Sequence, residues 1–120
     1  MAKGVILHTD GTYEEKVFKQ LSDMQTAVDG LIEPIGMHDF YGAGVCQGYV
    51  NEEGLLHQLS PNSVASALSF MFGNAPHIVG NMIVVGLTDS HGNDTDIPQD
   101  ILAFIERVCG NRAKLEAEYV

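Results

Sequence analysis

Val5, Ile6 and Leu7 form a short β-prone run that reaches Thr9-Asp10-Gly11-Thr12, and a second run follows from Tyr13 to Phe18. Two such runs around an Asp-Gly dipeptide predict an N-terminal hairpin. The period then changes. Leu21, Met24 and Val28 recur at helical spacing, and Gly30 stands where a left-handed C-terminal cap falls, so a helix of about two turns is expected. Leu31-Ile32-Glu33-Pro34-Ile35 is apolar and extended; its proline cannot donate a ladder hydrogen bond and belongs at a sheet edge or strand end.

Gly42, Gly44 and Gly48 flank Val45-Cys46-Gln47 ahead of Tyr49-Val50-Asn51, which predicts a second strand pair across a glycine-rich turn. Asn51-Glu52-Glu53-Gly54 closes it as a tight turn. Ser60-Pro61 reads as a helix N-cap followed by proline at the first helical position, and Val64, Leu68, Met71 and Phe72 supply the apolar stripe before Gly73-Asn74 stops the helix. From His77 to Leu87, β-branched and other apolar side chains dominate, as a central strand covered on both faces requires. Thr88 to Asp96 is almost wholly polar and reads as a loop. Pro98 opens a last helix with a stripe of Ile101, Leu102, Ile105 and Val108 and Gly110 as its stop; residues 111–120 form one more turn or a frayed tail.

This order predicts an α+β fold: a single, mainly antiparallel sheet of about five strands with helices packed on one face. Ile83, Val85, Leu68, Met71, Phe72, Leu102 and Ile105 are expected to pack together as the core. With 120 residues, 45% of them hydrophobic, and no internal repeat, the chain supports one domain over residues 1–120.

Charge narrows the function. Six Lys and Arg against 16 Asp and Glu give a formal charge of -10, which argues against gripping nucleic-acid phosphates or an anionic membrane surface. The chain is poor in bases more than rich in acids: charged residues are 18% of the total, against roughly 25% in typical domains. Adjacent acids occur only at Glu14-Glu15 and Glu52-Glu53, too sparse to imitate a DNA strand. Cys46 and Cys109 lie far apart, without a CxxC motif, and read as reduced buried thiols. No apolar run approaches a bilayer span or a signal-peptide core, so a soluble cytoplasmic protein is expected.

Motifs with chemistry are few. The five histidines form no HxH, HxxxH or HExxH pair, and the loop from Asp89 to Asp96 has its glycine at the fourth position where a calcium loop of the EF type needs it at the sixth. No metal and no cofactor is expected. A nucleophile elbow, a GxxxxGK[ST] loop and a strand-borne GxGxxG are all absent, so the reading is of a protein that is not an enzyme. What remains is Ser60-Pro61-Asn62-Ser63. A helix beginning there directs N–H groups and the positive end of its dipole outward, and its side chains add donors suited to a phosphate or a ribose hydroxyl. Plain capping of the helix uses the same residues.

The pieces Ile32-Glu33-Pro34-Ile35, Tyr49-Val50-Asn51-Glu52-Glu53-Gly54, Leu59-Ser60-Pro61-Asn62 with Ala65, Ile78 to Gly86, and Thr95-Asp96-Ile97-Pro98, taken in order, resemble an uncharacterised domain family of bacteriophages, plasmids and other mobile elements. The resemblance covers nearly the whole chain to about residue 100, departing mildly in the glycine-rich stretch from Gly42 to Cys46 and in Phe70 and Phe72. It implies a setting more than an activity. In the family frame Tyr49 and Asn51 approach the Ser60 region, where a ring can stack on a base and an amide can read its edge; Tyr49 serves equally as half-buried sheet packing.

Two functional classes follow for an accessory protein that counters host defence. One sequesters a nucleotide-derived immune signal, of the cyclic ADP-ribose or cyclic dinucleotide type, with Ser60, Asn62 and Ser63 donating, Tyr49 or Tyr41 stacking and Asn51 reading an edge. The other is an acidic inhibitor that binds and blocks a host protein. A structural or regulatory protein of the element is a third reading. Sequestration meets one constraint: no Lys or Arg lies between Lys19 and Arg107, a stretch holding eleven carboxylates. Phosphate would need terminal bases such as Arg107, most simply across a homo-oligomer.

Overall fold

The computed structural model describes residues 2–39, 41–74 and 77–118, the last eight as helical backbone. Strands β1 (Ala2–Leu7) and β2 (Tyr13–Phe18) form the expected N-terminal hairpin, followed by helix α1 (Leu21–Val28). Strands β3 (Ile32–His38) and β4 (Gly44–Asn51) form the second hairpin, then come α2 (Ser63–Met71), β5 (Met82–Val85) and α3 (Gln99–Glu118). The sheet order is β2-β1-β5-β4-β3 and every pairing is antiparallel. The fold is α+β, as the element order predicts.

β5 is the last strand in sequence and the middle one in space, and all four of its residues are buried. Because successive strand side chains point to opposite faces, Met82 and Val84 join one cluster while Ile83 and Val85 join another. The first cluster holds Leu68 of α2 and Leu102 and Ile105 of α3; the second holds Met24 and Val28 of α1. Helices therefore cover both faces: the expected single-face arrangement describes α2 and α3, and α1 lies opposite. The expected core is split accordingly, since Ile83 and Val85 pack on α1 and not on Leu68, Leu102 and Ile105. Met71 is 51% exposed, because the buried stripe of α2 runs through Val64, Ala65, Leu68 and Ser69, whose small members seat the helix and turn Met71 to the rim.

Boundaries also differ from the sequence reading: the central strand is Met82–Val85, shorter than the expected run from His77 to Leu87. The left-handed residue closing α1 is Asp29 (φ 60°), one position before Gly30. The N-cap of α2 is Asn62, with Ser63 as first helical residue, while Pro61 pairs in an isolated bridge with Val79. α3 continues past Gly110 to Glu118, since one glycine costs a helix only about 1 kcal/mol and nothing else there stops it. The side chains of residues 111–118, Arg112 and Lys114 among them, and residues 119–120 lie outside the described residues.

Candidate functional site

The residues singled out around the start of α2 do not assemble. Asn62 is fully buried. Its amide nitrogen donates to the carbonyls of Leu7 (2.9 Å) and Gly80 (3.0 Å), and its oxygen accepts from the backbone N–H of Ala65 at 3.1 Å. Both N–H donors of that amide join α2 to β1 and to the segment before β5, and its oxygen caps α2 itself. Asn51 is buried likewise. Its nitrogen donates to the carbonyls of Val28 and Asp29, both at 3.0 Å, and its oxygen accepts from Glu53 N–H at 2.8 Å, so it closes the C-terminus of α1. Gly30 makes this possible: a Cβ there would stand 2.6 Å from the Asn51 amide nitrogen.

Tyr49 packs with the α1-side cluster, on the sheet face away from α2. Its hydroxyl donates to Asp94 Oδ1 at 2.8 Å, and burial, followed by that carboxylate, raises its ionisation well above the ordinary tyrosine value. It lines a cleft of about 420 Å³ with Phe18, Lys19, Met24 and Ile32. The nearby N-terminus of α1 already holds an anion, because Asp23 accepts from the N–H groups of Lys19 (2.8 Å) and Gln20 (3.1 Å) and these bonds lower its pKa. Tyr41 stands 91% exposed on the β3–β4 turn. Ser60, Ser63 and Arg107 are exposed, the last on α3.

A larger cleft, of about 600 Å³, opens on the α2 side of the sheet near the β3 edge. Ile35 of β3 and Val50 of β4 form its floor with Ile78 and Val79 beside them, and Ser69, Asn74 and His77 edge one side. The opposite wall is the turn from Glu52 to Gln58, carrying Leu55 and Leu56 at 77% and 75% exposure. Glu33, Glu52 and Glu53 stand on the rim, and among the described residues no Lys or Arg lines the cleft. The turn is held against the body by Glu52 N–H donating to the Leu31 carbonyl (2.8 Å) and is closed on itself by Leu59 N–H donating to that of Gly54 (3.0 Å). Gly54 is needed for this approach, since a Cβ there would lie 2.9 Å from a Val79 methyl. Along the turn Glu53 pairs with His57, Oε2 to Nε2, at 2.9 Å.

An apolar floor under a carboxylate rim suits a side chain with an aliphatic body and a cationic end, as in lysine or arginine. The sequence signal for this wall is the Leu55-Leu56 pair, one glycine after the acidic pair Glu52-Glu53. It falls in a segment with no periodic element to bury two leucines, and neither leucine is among the residues that the sequence motifs point to. Elsewhere, Cys46 is buried against Met37, and burial, with Asp100 adding, pushes its thiol up to about 11, which makes it inert packing. Among the described residues no group of three or more His, Cys, Asp or Glu is placed to hold a metal ion, and no helix is long and apolar enough to cross a membrane.

The fold and cleft define a small acidic α+β domain with an open groove that holds no Lys or Arg among the described residues. The chain belongs to the family described as Domain of unknown function (DUF3846), which matches residues 2–109, the whole sheet and the first half of α3. No curated protein and no solved structure matches it.

Proposed function

We propose that the protein is an acidic binding protein that blocks a partner protein by taking a basic, apolar segment of it into the cleft between the 52–58 turn and α2. In the mobile-element setting that the sequence resemblance implies, the partner is a host protein and the outcome is interference with host defence. The observation that carries this reading is the placement of Leu55 and Leu56, each about three-quarters exposed, beside Glu33, Glu52 and Glu53. Two large apolar side chains held outward have no role in the core, and surrounding carboxylates favour a cationic partner while disfavouring acidic ones. Sequestration of a nucleotide-derived signal draws little support from the same geometry. Its amides Asn51 and Asn62 are consumed by helix caps, and of its two stacking residues Tyr49 faces the other side of the sheet while Tyr41 stands exposed on the β3–β4 turn.

The test is fluorescence anisotropy with a labelled synthetic peptide of leucine and lysine, against a control in which glutamate replaces lysine. The basic peptide is expected to bind, to weaken as salt rises from about 50 to 200 mM, and to lose about tenfold in affinity when Glu52 and Glu53 are both changed to Gln. Equal binding of the acidic control would overturn the reading. So would calorimetric heat from cyclic ADP-ribose or a cyclic dinucleotide with none from the basic peptide.

A further inference from the structure

We infer that the segment received by this cleft, on the docking reading above, is an amphipathic α-helix and not an added β-strand. A segment entering a sheet-floored groove next to an edge strand has two ways to satisfy its backbone: pair with the edge, or carry its own hydrogen bonds. The edge of β3 is ill suited to the first. Leu31 accepts from Glu52 N–H, and the register pairs Ile32 with Asn51, so Leu31, Glu33, Ile35 and Met37 direct their backbone groups to β4. Ile32, Pro34, Gly36 and His38 direct theirs outward. Pro34, near the middle of that outward set, has no N–H. The Gly36 carbonyl is taken by the Asn74 amide at 2.9 Å. The outward groups that an incoming strand would use are thus interrupted at two successive positions.

The walls offer an extended chain no better terms. The Ile78 N–H is held by Ser66 Oγ at 3.0 Å and its carbonyl accepts from Asn62 N–H at 2.9 Å. Glu52, Glu53, Gly54 and His57 give their N–H groups to Leu31, Asn51 and Glu53. Asn51, the buried amide of the lining, has both N–H donors engaged and its oxygen already accepting from Glu53. An extended backbone laid over Ile35, Val50 and Val79 would lose water and find few backbone partners in return, a cost carried by each buried peptide group. A helix brings its own backbone bonds and asks the cleft only for side-chain contacts. Its apolar stripe meets the floor and the two leucines, and its flanking basic positions meet Glu33, Glu52 and Glu53.

Two labelled peptides of identical leucine and lysine composition test this, one with leucines at i, i+3, i+4 and i+7 and the other in strict alternation. The helix-patterned peptide is expected to bind at least tenfold more tightly and to gain helical circular dichroism on titration with the full-length protein. Equal or tighter binding of the alternating peptide would overturn the helical assignment and leave the docking reading standing. Absence of binding by both would overturn the two together.

Discussion

At the N-terminus of α2, Asn62 is fully buried and each polar atom of its amide is engaged, whereas on the 52–58 turn Leu55 and Leu56 stand exposed beside Glu52 and Glu53. In sequence the first region looks like a ligand site and the second like a connection. In the folded chain the first is a joint and the second is a surface. Donors and acceptors count toward recognition only after the fold has taken what it needs, and the fold takes first at buried positions, where an unpaired polar group is most costly.

Four substitutions probe that contrast. The largest loss is expected at Leu68, 1% exposed beneath α2: Leu68→Ala should cost about 2–5 kcal/mol in urea unfolding, and a value below about 0.5 would place the helix on the wrong face. Asn62→Ala comes next. It removes two hydrogen bonds to buried carbonyls and one helix cap, an expected cost of about 2–3 kcal/mol, with peptide binding by the remaining folded protein unchanged. A stable Asn62→Ala protein would show that the residue is not the joint described.

Asp23→Asn is expected to lower the melting temperature at neutral pH by a few degrees. Its carboxylate is held below the ordinary value of 3.8 by two backbone N–H bonds, so its contribution is complete above 3.8 and is lost as pH falls through the folded-state value. Melts at decreasing pH should bring wild type and variant together; a constant gap would mean that the charge is not what stabilises. Leu55→Ala should have the smallest effect on folding, within about 0.5 kcal/mol, while reducing peptide affinity several-fold. A large stability loss there would make Leu55 a core residue and remove the contrast.

Much of the fold was legible because short-range signals agree with it. The Asp-Gly hairpin, the glycine-rich turn before β4 and the β-branched run of β5 each follow from local chemistry, and Pro34 on an edge follows from its missing N–H. The division of the core was not legible. Apolar residues at four successive positions of β5 say that both faces are covered, yet nothing local says which helix covers which, and one step of register exchanges Ile83 for Val84. The role of Asn62 was hidden for a related reason: its partners are Leu7 and Gly80, one far before it and one beyond α2. Caps that reach only three residues along the chain can be read from sequence. Caps that also tie down distant strands cannot.

The place of β5 has a consequence for how the chain reaches this structure. The β1–β2 and β3–β4 hairpins close over short loops and can form as soon as each is made, but they do not border one another. Until Met82–Val85 arrives, β1 and β4 each present an unpaired inner edge, and Ile6 and Leu7 lack their neighbours Ile83 and Met82 in the sheet. Four residues late in the sequence therefore turn two separate ribbons into one sheet. A nascent chain halted before Met82 holds most of its strands and none of their continuity, which makes the interval before that strand emerges the one in which this protein is most exposed to pairing with the wrong neighbour.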